Sequence, residues 1–114
     1  MTTVNSPDWK GFSDQFSRQH DGWSASLQVR QSGGAKEVEV DDRPFRGLTF
    51  EHRDGHDAMI LTFGDDPDEH LTHIIEQPRE MALLDGETGH CSLIIGLPDG
   101  TGYELELSNP FNPD

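Results

Sequence analysis

The sequence predicts an α+β domain: one N-terminal amphipathic helix followed by a mostly antiparallel, curled sheet of about eight short strands, forming a barrel or roll. Two observations carry this prediction. An aromatic stripe with helical spacing lies near the N-terminus, and downstream of it apolar residues alternate with polar ones in short segments separated by turns. The connections are too short for parallel crossovers, and 114 residues suffice for one domain.

The helix is predicted from the spacing of three aromatic residues. Trp9, Phe12 and Phe16 follow at i, i+3 and i+7, which places them on one face. Ser6-Pro7 is typical of a helix start, and Asp21-Gly22 is typical of an end. The stripe is expected to pack into the core of the sheet.

The strands are predicted from apolar residues that recur every second position, as on a half-buried strand. Asp54-Gly55 and Pro98-Asp99-Gly100 are hairpin signals, Arg43–Gly47 reads as a bend, and Gly64–Glu69 reads as a polar loop. The predicted strands are centred on residues 23–29, 38–40, 48–50, 59–63, 71–75, 81–84, 91–95 and 103–107.

The predicted domain covers residues 6–108. Residues 1–5 contain no helix or strand signal and are expected to be a disordered N-terminus. Residues 109–114, with two prolines in six positions, are expected to be a flexible tail.

The charge excludes several classes of partner. Eight Lys and Arg face 22 Asp and Glu, which gives a formal net charge of −14. Nucleic acid and anionic membranes require clustered cations, so neither is an expected partner. No run of about 18 apolar residues and no secretory signal is visible. A single cysteine, Cys91, is typical of a reducing compartment, so we expect a cytoplasmic protein.

The same imbalance suggests adaptation to salt. Only two of the eight cations are lysines, Lys10 and Lys36. High net charge destabilises a compact state by self-repulsion, and salt screens that repulsion. We therefore hypothesise a salt-accumulating source organism, the alternative being an ordinary acidic surface.

No catalytic, metal or cofactor site emerges from the motifs. His52 and His56 lie on either side of a turn, and His70 and His73 would point to opposite faces of a strand. Neither pair therefore has the spacing of two ligands of one metal ion. Glycine-rich phosphate loops and a nucleophile elbow are absent from the sequence. Cys91 lies in an apolar strand pattern, which favours a buried hydrophobe over a nucleophile. The domain is therefore predicted to be non-enzymatic, without a metal or cofactor.

A binding site for a ligand or a partner is predicted where cations and aromatic residues gather. The junction between helix and first strand combines Arg18, His20 and Trp23, and the bend combines two further arginines. Arg and aromatic residues are frequent anchors in recognition surfaces, although core packing and pairing with surplus acids explain them too. The candidate residues are Arg18, His20, Trp23, Arg43, Arg46 and His73.

The chain also resembles a group of small bacterial single-domain proteins of unknown function. The resemblance is carried by Trp9-x2-Phe12, Phe16-Ser17-Arg18-x-His20-x-Gly22-Trp23, Pro44-Phe45-x-Gly47-Leu48, Leu71-Thr72-His73-x-Ile75-x2-Pro78 and Asp99-Gly100. These are mostly core and turn residues. The resemblance implies a stand-alone cytosolic domain and supplies no catalytic residue.

Three functions follow from these patterns. The first is a domain that binds another protein or itself. The second is a barrel that holds a small ligand in its mouth, near the junction of helix and first strand, with Arg18, His20, Arg46 and His73 converging on it. The third is an acidic mimic of nucleic acid, which requires one contiguous acidic face.

Overall fold

A computed structural model describes residues 2–64, 70–86 and 88–110. One α-helix, α1 (Trp9–His20), follows a single 3₁₀ turn at Ser6–Asp8. The described strands are β1 (Thr2–Val4), β2 (Ser24–Arg30), β3 (Lys36–Arg53), β4 (His56–Phe63), β5 (Leu71–Glu76), β6 (Glu80–Asp85), β7 (His90–Gly96) and β8 (Gly102–Ser108).

All strand pairs are antiparallel, in the order β1-β6-β7-β8-β2-β3-β4-β5. Residues 36–44 of β3 pair with β2, whereas residues 45–53 pair with β4. We call β1, β6, β7, β8, β2 and residues 36–44 the large sheet, and residues 45–53, β4 and β5 the small sheet. The α+β prediction is confirmed, and the sheet is not closed into a barrel, because β1 and β5 are its two ends.

Strand β3 corrects one part of the prediction. The two strands expected on either side of a bend at Arg43–Gly47 are one strand of 18 residues. Its register shifts between Phe45 and Gly47, and Phe45 N–H donates to the Trp23 carbonyl at 2.8 Å. The bend is therefore a change of partner within a continuous strand.

The N-terminus corrects a second part. Residues 2–4, expected to be disordered, form β1 and pair with β6 from Thr2↔Leu83 to Val4↔Met81. Trp9 fixes this strand, because its Nε1–H donates to the Val4 carbonyl at 2.8 Å. Three residues are too few to display an alternating pattern. Met1, loop residues 65–69, Glu87 and tail residues 111–114 lie outside the described residues.

The inner faces of both sheets and the aromatic stripe of α1 form one core. Trp9 and Phe16 are 2% exposed, and Phe12 packs against them half-buried, as the helical spacing predicts. The Asp54-Gly55 hairpin is confirmed, with both φ angles positive at 53° and 82°. The interior is thus filled with side chains. The largest fully buried residues are Leu27, Phe45, Leu48, Met59, Leu61, Phe63, Ile75, Met81, Leu93, Ile95 and Leu105.

Ser17 joins α1 to the point where the two sheets separate. Its hydroxyl accepts a hydrogen bond from Leu48 N–H at 2.8 Å, and its own hydrogen is within reach of the carbonyls of Ser13 at 2.8 Å and Leu48 at 2.9 Å. Residue 48 of β3 no longer has β2 beside it, so this hydroxyl satisfies the Leu48 N–H that a neighbouring strand would otherwise satisfy. No helix among the described residues is long and apolar enough to span a membrane.

Candidate functional site

The six residues proposed from the sequence occupy different environments. Arg18 is exposed on α1, and Arg43 is exposed on β3 opposite Ala25. Arg46 is tied to the scaffold, because its Nε–H donates to the Gly64 carbonyl at 2.7 Å and its guanidinium lies 3.3 Å from the Asp21 carboxylate. These contacts give Arg46 a structural role at the junction of helix and small sheet.

His20 and Trp23 do come together, at the end of α1. The His20 ring lies 4.2 Å from the Phe16 ring and 4.6 Å from the Trp23 ring, centroid to centroid. Its Nδ1 is 2.8 Å from the Phe16 carbonyl, and a carbonyl only accepts, so Nδ1 carries a hydrogen. In the neutral ring, Nε2 then carries no hydrogen and can accept a hydrogen bond.

The neighbour of that acceptor is Cys91. Its Sγ lies 3.6 Å from His20 Nε2, so the thiol donates to the ring. A nucleophile beside an oriented base is the general form of an activated nucleophile. Sequence reasoning missed this pair because 71 positions separate the two residues and no spacing rule connects them.

The electrostatics of Cys91 oppose such a reaction. Burial, together with the smaller effect of the Asp85 charge, raises the pKa of the Cys91 thiol from 9.0 to about 11. The thiolate is the reactive form, so at neutral pH the pair holds an unreactive, protonated sulfur. The side chain is 8% exposed, which confirms that Cys91 is buried.

His73 lies elsewhere, on β5, where its ring contacts Tyr103 of β8 at 5.3 Å. The contact joins the inner faces of the two sheets. The His73 Nε2 atom is buried without a hydrogen-bond partner. Burial raises the pKa of Tyr103, and Glu39 and Asp99 raise it further.

Two further histidines pair with acids around the β3–β4 hairpin. His52 Nδ1 lies 2.7 Å from an oxygen of Asp57, and His56 Nε2 contacts Glu76 of β5. Each imidazole thus faces one carboxylate. Within residues 2–64, 70–86 and 88–110, no group of three or more His, Cys, Asp or Glu is arranged to hold a metal ion.

Two hollows lie across the large sheet, of about 200 and 350 Å³. They adjoin at Ile94 and Gly102, and Lys36 at one end is 3.5 Å from Glu104. Their linings contain none of the six residues proposed from the sequence. The larger hollow has the mainly apolar lining Thr3, Glu80, Met81, Ala82, Ile94, Gly96, Leu97, Gly100, Thr101 and Gly102.

The outer face of the small sheet contains an uncharged patch, bordered on one side by the row of Glu51, Ala58 and Glu76. Its rows pair Thr49 with Ile60, Ile60 with Ile74, and Thr62 with Thr72. We call these five residues the Thr–Ile face. Ile74 is 44% exposed and belongs to β5, the last strand of the sheet.

On the outside of the large sheet, two acids lie in the middle of the face, on β8. Glu104 pairs with Gln28 and Ile94, and Glu106 pairs with Ser26 and Ser92. The alternating pattern predicted which residues point outward on each strand. It did not predict that the uncharged outer positions would be neighbours, because this depends on strand order.

Comparisons with known proteins agree with the resemblance seen in the sequence. No curated protein matches the chain. No solved structure matches it either. A family model does match, over residues 1–113, and it describes a family of unknown function. Because this match covers nearly every residue, the chain belongs to that family, DUF5335.

Proposed function

We propose that this domain is a non-enzymatic protein-interaction module whose contact surface is the Thr–Ile face together with the free edge of β5. The observation that carries the proposal is a partly apolar patch of five uncharged outward residues, beside the row of Glu51 and Glu76, on a chain with a net charge of −14. Among the described residues, three large hydrophobic side chains are exposed, and two of them, Leu71 and Ile74, lie on β5.

The strand itself supports a contact role. Within the described residues β5 pairs only with β4, so its other edge presents unpaired backbone groups. Proteins protect such edges with charged residues, above all lysine; β5 contains no lysine, and its one acidic residue, Glu76, is the last of the strand. Addition of a strand to an exposed edge is a recurring mode of recognition.

The alternative of a small ligand in a barrel mouth receives less support. The interior is filled, and Arg46 is engaged by Gly64 and Asp21. The surplus of carboxylates over cations supports a different proposal, adaptation to a salty cytoplasm. A contiguous acidic mimic of nucleic acid is disfavoured, because the Thr–Ile face interrupts the acidic surface.

Photo-cross-linking in native cells tests the contact surface. A photoreactive amino acid replaces Ile74 in one variant and Val38 in the other; Val38 is 60% exposed but lies on the large sheet. We expect a covalent protein adduct at position 74 and none at position 38. Absence of any adduct at position 74, or equal adducts at both positions, would contradict the proposed function.

A further inference from the structure

We propose that the outer face of the large sheet binds a free peptide of two or three residues with apolar side chains, in a trough over Gly96 and Gly102. The trough consists of the two hollows that adjoin at Ile94 and Gly102. It lies on a different sheet from the Thr–Ile face, so this inference does not depend on the proposed function.

The trough follows from one row of outward residues that crosses five strands. In this row Glu80 of β6 pairs with Gly96 of β7, and Gly96 pairs with Gly102 of β8. Gly102 in turn pairs with Arg30 of β2, and Arg30 pairs with Lys36 of β3. Two adjacent strands therefore present bare backbone between an acid on one side and two cations on the other.

Folding does not require glycine at position 102. A Cβ atom there would have no heavy atom within 4 Å apart from its chain neighbours, and Gly102 is not among the glycines with a positive φ. Glycine in a strand destabilises that strand, and it often marks a place where a ligand approaches the backbone closely. The open space above Gly102 therefore points to an occupant.

The charges at the two ends of the trough are opposite. Of the described residues, four charged ones line the two hollows, and two of these, Lys36 and Glu104, pair with each other at 3.5 Å. Glu80 and Arg30 remain, and neither forms an ion pair with another described residue. The Glu80 side chain lies over Gly96, with Oε1 3.5 Å from the position of a Cβ atom there. This arrangement favours an ammonium group at the Glu80 end and a carboxylate at the Arg30 end.

The spacing of these two charges sets the length of the ligand. Gly96, beneath the Glu80 carboxylate, lies two strand spacings, or ~10 Å, from Arg30. An extended peptide spans ~3.3–3.6 Å per residue, so two or three residues reach across and a single amino acid does not. Ile94 and Leu97 line the space between the ends, which favours apolar side chains on the peptide.

Titration with dileucine tests the site. The measured quantity is the chemical shift of the Gly96 and Ile94 amides in isotope-labelled protein. Gly102→Leu should fill the trough without a clash, because the space around its Cβ is open. Ser92→Leu is the matched control, since it places the same side chain on the outer face of β7 outside the two hollows.

We expect saturable shifts in the wild type and in Ser92→Leu, and none in Gly102→Leu. The melting temperature of Gly102→Leu should be no lower than that of the wild type, because replacing glycine reduces the entropy of the unfolded chain. Loss of binding with unchanged stability would then report the filled trough and not a damaged fold.

Charge variants and end-blocked peptides test the orientation. Arg30→Gln and Glu80→Gln should each weaken the binding of dileucine about 3-fold, as expected for exposed ion pairs. N-acetylation removes the ammonium group of the peptide. Acetylated dileucine should therefore bind Glu80→Gln as well as it binds the wild type, and should still bind Arg30→Gln more weakly.

Three results would overturn the inference. The first is the absence of a saturable shift in the wild type at ~10 mM dileucine. The second is binding by Gly102→Leu that equals binding by the wild type. The third is an affinity for dileucine that neither charge variant changes.

Discussion

The two outer faces of this molecule are built by the same alternation of side chains but differ in where their acids lie. On the large sheet, Glu104 and Glu106 are in the middle of the face, on β8. On the small sheet, Glu51 and Glu76 share one row, and the neighbouring rows hold only the uncharged Thr–Ile face. Both kinds of residue suit a solvated strand face, so folding alone does not require the difference. The comparison teaches that the uncharged Thr–Ile face, next to the open edge of β5, is the part of the surface to explain by contact.

The largest effect should come from the inner side of the small sheet. Phe63 is fully buried on β4, and Phe63→Ala should lower the free energy of unfolding by about 3–5 kcal/mol. The matched outward change, Thr62→Ala, should cost less than about 1 kcal/mol. Chemical denaturation measures both. A large loss of unfolding free energy in Thr62→Ala would mean that the Thr–Ile face is needed for folding. This would contradict the view that contact with a partner explains that face.

A smaller effect is expected where the two sheets separate. Ser17→Ala leaves the Leu48 N–H without its 2.8 Å acceptor, and an unsatisfied buried backbone group costs about 1–3 kcal/mol. Thermal unfolding measures the loss. Ser13→Ala is a control on the same helix, because the Ser13 hydroxyl has no hydrogen-bond partner. Equal losses in the two variants would contradict the role given to Ser17.

The Cys91–His20 pair tests whether the large sheet carries a reactive site instead. The folded thiol pKa of about 11 exceeds its ordinary value of 9.0. Between these values the unfolded thiol has ionised and the folded one has not, so stability is fully present below pH 9 and is lost as pH rises toward 11. The loss should be on the order of 1 kcal/mol.

Denaturation of the wild type and of Cys91→Ala across this pH range isolates the contribution of the thiol, because the variant should lack that component of the pH dependence. Rapid alkylation of Cys91 in the folded protein at neutral pH would contradict the protonated state.

The smallest expected effect concerns the acidic face. Added KCl should raise the free energy of unfolding by on the order of 1 kcal/mol, because it screens the repulsion among surplus carboxylates. Melting temperature in KCl and in an equivalent concentration of sucrose separates screening from general solute effects. A melting temperature that is flat or falls with KCl would contradict adaptation to salt.

Local spacing predicted the helix stripe at Trp9, Phe12 and Phe16 and the hairpin at Asp54-Gly55, because both are set by neighbours in the chain. It missed the continuity of β3, since a change of strand partner leaves the backbone extended and only the far contacts change.

The candidate site was less predictable than the fold. His20 and Trp23 were found as neighbours in sequence, but Cys91 meets His20 across 71 positions. Nothing local indicates that β5 ends the sheet, and this position gives Ile74 its exposed edge.

Photo-cross-linking in native cells tests most directly the claim that the small sheet is the contact surface. A photoreactive amino acid at Thr62, on the Thr–Ile face, is compared in the wild-type background, with Ile74→Lys and with Val38→Lys. Both variants replace an exposed apolar residue with the same cation, so each changes the net charge equally. The account predicts a protein adduct in the wild type and in Val38→Lys, and its loss in Ile74→Lys. An adduct as strong in Ile74→Lys as in the wild type would contradict it.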